Sequence, residues 1–374
     1  MYQAIITERE AGQRFDKYLH RILPNAGSGF LYKMMRKKNI TLNDRKADGS
    51  EKIAEGDCVK IFFSQETLDQ FMGKHPDGDS DSVCTPKRGT GSAEKSGRVT
   101  ETASYMQEFR RAYRQLADIT VIYENDHILI ADKPAGVLSQ KAVKSDFSLN
   151  EWLIGYLLEK GELSESGLAF YKPSVCNRLD RNTSGMVLCA KTLKGAQFLG
   201  GLLKDRTLHK YYQLYAKGVI EDAQLIEGYL YKDVKKNKVT IKPVSAVSDH
   251  GSITKTAAGK SDDKKDAESG YIQTRYTPLR WETDKTFLEV ELITGKPHQI
   301  RAHLASIGHP LLGDYKYGDR AWNEGYRKKY GVQSQLLHAY KVVFPPLPPP
   351  FADLSERTFF CELPEIFDCV SQSL

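Results

Sequence analysis

The chain has 374 residues, 40% of them hydrophobic, enough for about two domains with real cores. No stretch approaches the ~20 apolar residues of a membrane-spanning helix, and Met1 to Glu8 lacks the basic and apolar runs of a secretory signal. Six cysteines (Cys58, Cys84, Cys176, Cys189, Cys361 and Cys369) contain no C-x-x-C pair, which speaks against a zinc ribbon or redox motif and for a reducing, cytoplasmic setting. The net charge is +6, and residues 1–63 carry +4 of it, with twelve Lys or Arg against eight Asp or Glu. Charge gathered on a small module is the footprint of a phosphate-binding surface.

Residues 1–63 predict a compact α/β module. A short helix beginning at Arg14 places Phe15, Leu19 and Ile22 on one face and ends at Pro24. A second, over 29–38, turns Phe30, Leu31, Met34 and Met35 inward and Lys33, Arg36, Lys37 and Lys38 outward. A strand over 40–43, a polar turn over 44–49 and a tight turn at Gly56-Asp57 lead into a strand over 59–63. From residue 64 onward Gly, Ser, Asp, Lys and Pro dominate and apolar periodicity vanishes. A flexible linker is expected over 64–117, closed by a short helix over 101–117 through Tyr105, Phe109, Tyr113 and Leu116.

Residues 118–374 predict one large, strand-rich domain. The stretches 119–123 and 128–131 form a hairpin, and further strands are expected at 186–190, 210–216, 228–232, 238–243, 271–276 and 286–293. Helices fit 149–159, 193–204 and 297–307, and 246–270 reads as a disordered insertion between strands. The segment from Phe344 to Phe351, rich in Pro, fits a rigid surface strap. There is no phosphate loop, dinucleotide fingerprint or internal repeat.

Three segments could carry chemistry. In Asn177-Arg178-Leu179-Asp180-Arg181-Asn182-Thr183-Ser184-Gly185, a carboxylate lies in a loop between two cations. Asp180 so placed stays ionised and can act as nucleophile or base, though spacing alone favours a mere turn or cap. In His209-Lys210-Tyr211-Tyr212-Gln213-Leu214-Tyr215-Ala216, alternation puts Lys210, Tyr212 and Leu214 on one strand face. Tyr212 there can stack on a base or move a proton, or simply be a strand residue. In the segment Thr294 to Pro310, Pro297 suits the first helical position, Gly308 suits the stop, and Ile300, Leu304 and Ile307 form the buried stripe. Arg301 lies about 60° from Leu304, where a guanidinium can reach inward to a carboxylate or phosphate. His298, His303 and His309 do not share a helical face, so no metal site is expected.

Together these segments resemble the RluA-type family of pseudouridine synthases. Asn177–Gly185 is similar to its catalytic motif, Lys210-Tyr211-Tyr212 to its tyrosine motif and Gly295–Leu304 to its arginine motif. Lesser similarities are Asp132-Lys133-Pro134-Ala135-Gly136, Gly313-Asp314-Tyr315-Lys316-Tyr317-Gly318 and Leu337-His338-Ala339, in the family's order. One departure is Asn177, where many members carry His. Residues 9–63 resemble the alpha-L RNA-binding domain, named from a small-subunit ribosomal protein, through Arg14–Leu19, Arg36–Asn43 and Gly56–Val59.

The resemblance implies an α+β chain: the small α/β RNA-binding domain, then a synthase domain with a mixed, mostly antiparallel sheet, flanking helices and a central cleft. It implies isomerisation of uridine to pseudouridine in a base flipped out of the RNA stack. Asp180 would attack the sugar or the pyrimidine ring, or otherwise assist glycosidic cleavage. Tyr212 would pack on the base and assist proton removal, and Arg301 would pair with Asp180. Arg178 and Arg181, with Lys33, Arg36, Lys37 and Lys38 on the small module, would bind RNA, through phosphates in the module's case. Large-subunit ribosomal RNA is the expected substrate, with transfer RNA the alternative. No cofactor or metal is called for, and a monomer is expected. Competing readings are a non-catalytic RNA-binding or ribosome-assembly protein, and a glycosidic hydrolase, which needs a second carboxylate.

Overall fold

The computed structural model describes residues 2–7, 10–72, 96–164, 167–168, 171–233, 238–244 and 267–371, with backbone alone over 96–105 and 267–269. The amino-terminal module contains β1 (Tyr2–Ile5), α1 (Phe15–Ile22), α2 (Ser28–Arg36), β2 (Ile40–Leu42), β3 (Arg45–Lys46), β4 (Cys58–Ile61) and α3 (Gln65–Phe71). Its antiparallel sheet runs β1-β4-β2-β3. Phe15 and Leu19 from α1 pack with Leu31 and Met35 from α2 against Ile40, Val59 and Ile61. The polar turn predicted over 44–49 in fact holds β3. Asn43 and Asp44, both at positive φ, form a two-residue hairpin between β2 and β3.

The expected linker does not begin at residue 64. Ser64 caps α3 by accepting the Thr67 N–H, Leu68 is buried in the module's core, and the Phe71 ring lies 4.7 Å from that of Phe30. Leu68, Phe71 and Met72 have helical spacing, but their polar neighbours submerge it in the composition of the following segment. Residues 73–95 of the linker lie outside the described residues.

The helix expected over 101–117 is α4 (Ser96–Gln115), and it is docked on α5 (Leu149–Glu159). Phe109 and Ala112 are buried there. The helices approach so closely at Gly155 that a Cβ would stand 2.2 Å from the Phe109 carbonyl oxygen. This helix therefore packs with the large domain.

Between and after these helices come β5 (Thr120–Glu124), β6 (Ile128–Lys133), β7 (Ser174–Val175), β8 (Ser184–Ala190), α6 (Leu193–Asp205), β9 (His209–Lys217), β10 (Gln224–Asp233), β11 (Lys238–Pro243), β12 (Ala267–Trp281), β13 (Lys285–Leu292), α7 (Gln299–Ser306), α8 (Arg320–Tyr330), β14 (Leu337–Val343), β15 (Thr358–Phe360) and α9 (Glu365–Ser371). The main sheet runs β11-β10-β12-β13-β9-β14-β8-β6-β5. The insertion expected over 246–270 overlaps β12, whose pairing with β10 begins at Ala267; its residues 246–266 lie outside the described residues. Helix α8, with Trp322, Tyr326 and Tyr330 at helical spacing, strands β14 and β15 and helix α9 lie outside the elements expected from periodicity.

Every strand pair of this sheet is antiparallel except β8 with β14, which touch through Ser184–His338 and Gly185–Ala339. That seam requires glycine: Gly185 has φ +105°, and a Cβ there would meet the Ala339 carbonyl oxygen at 2.3 Å. Trp152 and Leu153 of α5, Leu214 of β9, Val290 of β13, and Ile300 and Leu304 of α7 share the main core. Each fully buried side chain of this size contributes about 1.5–3 kcal/mol. On a second core Phe344 and Phe351 anchor both ends of the proline-rich strap, and Phe198 of α6 stacks on Phe351 at 3.7 Å between ring centroids.

Candidate active site

Asp180 lies in the loop between β7 and β8, and both of its neighbours are clamped. The buried Ser139 hydroxyl donates to the Leu179 carbonyl and accepts the Leu179 N–H, each at 3.0 Å. On the other side, the Arg181 carbonyl accepts from the Gly136 N–H at 2.9 Å and from Lys133 Nζ at 3.1 Å. Lys133 is fully buried, and its amine also donates to the Pro134 and Val137 carbonyls. Three carbonyls match the three donors of an ammonium. Burial draws its pKa down to about 7, against the pull of Asp180 and Asp132. Asn177 accepts the Leu188 N–H at 2.7 Å, so the side chain that departs from the family's frequent His ties the loop to β8.

Arg301 meets Asp180 as the sequence implied, but it is held by a further carboxylate. Its Nη1 donates to Asp180 Oδ2 at 2.7 Å, while Nε and Nη2 donate to the two oxygens of Asp314 at 2.7 and 3.0 Å. Asp314 is fully buried and also accepts the backbone N–H groups of Lys316 and Tyr317. Burial alone would raise the Asp314 carboxyl, but the Arg301 guanidinium and these amides hold it below its usual value. Burial works against the Arg301 charge too, yet Asp314 and Asp180 raise its pKa above the ordinary arginine value. Helix α7 is pinned in turn by Gln299, whose amide bonds the Gln273 carbonyl, Thr274, Thr294 and the Lys296 N–H.

Pro297 is not the first helical residue. The helix starts at Gln299, and its N-cap is His298 at φ +56°, in the left-handed region. That backbone turn brings the His298 ring to Asp180, with Nε2 3.9 Å from Oδ1, and to Tyr317, with Nδ1 2.8 Å from the hydroxyl.

Ser139, Asn177, Asp180, His298, Gln299 and Arg301 line a cleft of about 720 Å³. Tyr212 lies in its wall and is almost wholly buried. Burial, reinforced by Asp180, pushes its phenol well above the usual range, so the free protein keeps it protonated at neutral pH. Arg178 and Arg181 are both exposed and line the cleft with Arg206, Lys210, Lys232 and Lys296. Asp180 is the only carboxylate among the described lining residues. Such a wall suits a polyanion. Lys33, Arg36, Lys37 and Lys38 are exposed on α2 and just after it, outside this cleft.

Sequence reasoning named Asp180, Tyr212 and Arg301, and the fold brings all three into one cleft. It assigned no role to Asp314, Lys133, Ser139 or His298. For Asp314 a signal existed, since an arginine on the buried edge of a helix requires a fixed counter-charge.

Comparison with known proteins agrees with this geometry. Residues 127–306 match the RNA pseudouridylate synthase family. The ribosomal large subunit pseudouridine synthase C of Vibrio vulnificus (strain CMCP6) is 26% identical over 340 residues, covering 91% of this chain and 87% of that one. The protein of the same name from Rickettsia bellii (strain RML369-C) is 29% identical over 308 residues, covering 82% and 83%. Among solved structures, human RNA pseudouridylate synthase domain containing 4 shares the fold, with a TM-score of 0.51 and 20% identity over 71% of this chain and 95% of that one. Residues 127–306 thus match the RNA pseudouridylate synthase family, and most of the chain is similar to proteins named ribosomal large subunit pseudouridine synthase C.

Proposed function

We propose that this protein isomerises uridine to pseudouridine in large-subunit ribosomal RNA, with Asp180 as the reacting carboxylate. The observation that carries the assignment of Asp180 is its pairing with Arg301 at 2.7 Å inside a cleft whose other charged lining residues are lysines and arginines. Arg301, itself fixed at two points by Asp314, orients Asp180 and holds Oδ2, leaving Oδ1 to act on the nucleotide. The target base leaves the stack to reach it. Tyr212, as a neutral phenol, packs beside the base.

The choice of ribosomal over transfer RNA rests on the names of the relatives. The amino-terminal module adds a phosphate-binding face through Lys33, Arg36, Lys37 and Lys38, and Arg178 and Arg181 hold RNA at the cleft. A glycosidic hydrolase is disfavoured, because a water-activating carboxylate is required opposite the first. Asp314, the nearest other carboxylate to Arg301, is fully buried and occupied.

The test uses RNA tritiated at uridine C5, with ribosomal and transfer RNA supplied separately. Tritium release from large-subunit ribosomal RNA with the base retained is expected. Release from transfer RNA alone would replace the substrate, release of free uracil would make the protein a hydrolase, and binding without release would make it a non-catalytic RNA-binding protein.

A further inference from the structure

The two ring nitrogens of His298 have different surroundings. Nδ1 lies 2.8 Å from the Tyr317 hydroxyl, and that hydroxyl oxygen accepts the Val239 backbone N–H at 3.0 Å. An amide N–H offers no lone pair, and Nδ1 is the acceptor that the structure places within reach of the phenol's own proton. The neutral ring then carries its single proton on Nε2. Nε2 stands 3.9 Å from Asp180 Oδ1, beyond hydrogen-bond range, and Oδ1 is the oxygen that Arg301 leaves free. The ring is held there by a left-handed backbone that residues with side chains rarely adopt, a form of strain that gathers at functional sites. Burial, against the pull of Asp180, lowers the pKa of His298 and favours the neutral ring.

We propose that His298 Nε2–H donates a hydrogen bond to O2 of the extruded uracil and is a further catalytic residue of the isomerisation. This rests on the synthase reading above. When the C1′–N1 bond breaks, its electron pair stays on the ring, spread over N1 and the carbonyl oxygens. When the C1′–C5 bond forms, that pair is used again, C5 loses its proton and N1 gains one. No electron is gained or lost overall, and His298 keeps its proton throughout. Of the two carbonyls, O2 adjoins the breaking bond, whereas O4 lies across the ring. A donor beside Asp180 Oδ1 therefore reaches O2. A fixed donor aimed at developing charge is the kind of interaction that lowers a barrier.

The experiment compares substrate transcripts made with uridine or with 2-thiouridine, whose sulfur is a weaker acceptor at that position. Product nucleosides are separated by chromatography. The unaltered protein should isomerise the thio substrate about 10-fold more slowly or worse. His298→Phe should lower kcat on uridine by about 10- to 100-fold, leave RNA affinity nearly unchanged, and lose no more on the thio substrate. His298→Gln, whose amide can place an N–H near the same point, should recover part of kcat. Tyr317→Phe frees Nδ1 and lets the proton divide between the two nitrogens, so thio discrimination should fall; it serves as the measurement if His298→Phe does not fold. Equal thio discrimination in the unaltered protein and these variants would overturn the role of His298 while leaving the synthase reading intact. No pseudouridine from any uridine RNA would overturn the synthase reading and this inference together.

Discussion

Arg301 and Asp314 form a buried two-point ion pair, at 2.7 and 3.0 Å, that leaves one guanidinium nitrogen for Asp180. A planar fork held on one side presents its remaining donor in a fixed direction, which a lysine cannot reproduce. Asp314→Asn should therefore lower turnover although Asp180 is intact, and Arg301→Lys should not restore it. Breaking such a pair from one side costs about 3–5 kcal/mol, because the other charge stays buried. Urea unfolding read beside kcat checks this; Asp314→Asn with unchanged stability and turnover would show that the pair does neither job.

Asp180→Asn keeps the size of the side chain and removes its charge. Turnover should fall by about 10⁴-fold or more, the scale seen when a reacting group of a catalytic unit is lost. RNA affinity should hold or rise slightly, since the one carboxylate lining the cationic cleft has been neutralised. Tritium release and filter binding on the same variant separate the two effects.

Much of the site was legible because three segments together resemble one family; taken singly, Asp180 fitted a turn and Tyr212 an ordinary strand residue. Strand alternation put Tyr212 on one face of β9 with Leu214, where both are buried, and the helical stripe of α7 set Arg301 at its edge, where it is buried too. Strands β5 and β6 and helix α5 fell close to where periodicity put them. What stayed hidden depended on partners distant in sequence. Asp314 is paired through a turn thirteen residues from Arg301, Ser139 grips Leu179 across forty residues, and His298 acquires its position from a left-handed backbone that no side-chain pattern encodes. Helix α3 was lost in a linker because composition outweighed three well-spaced apolar residues.

The clamps beside Asp180 predict a positioning effect. Lys133→Met leaves the Pro134 and Val137 carbonyls short of that donor and the Arg181 carbonyl with the Gly136 N–H alone, and Ser139→Ala frees both backbone groups of Leu179. Each unsatisfied buried group costs about 1–3 kcal/mol. Both variants should lower kcat by about 10-fold or more with little change in KM, and both should lower the melting temperature. A rise in KM with kcat unchanged would mean that the loop binds RNA but does not aim the carboxylate.

Salt dependence distinguishes the two basic surfaces. Neutralising Lys33, Arg36, Lys37 and Lys38 together should weaken binding at all sequences and flatten the logarithmic salt slope by about 0.7–0.9 for each phosphate that is no longer neutralised. Arg178→Ala and Arg181→Ala should do the same on a smaller scale and also reduce turnover, because both side chains stand at the cleft. An unaltered slope in the first variant would remove the amino-terminal face from the RNA-binding surface.

Acid should destabilise the fold before carboxylates are titrated, and His303 gives the sign. It is almost wholly buried against Thr274, with Nδ1 3.0 Å from the hydroxyl, and burial lowers its pKa to about 4. The unfolded chain binds that proton near pH 6.5, so below this value the unfolded state holds more protons and gains on the native state. The stability present above pH 6.5 is therefore lost progressively as pH falls toward 4, by roughly 3 kcal/mol from this group at ~1.4 kcal/mol per unit. His338, buried with Nδ1 2.8 Å from Ser184, is lowered by burial too and adds loss of the same sign. Denaturation midpoints between pH 7 and pH 4.5 should fall for the unaltered protein and fall less for His303→Gln, which keeps a polar contact to Thr274 but takes up no proton. A parallel decline in both would assign the acid limb to other groups.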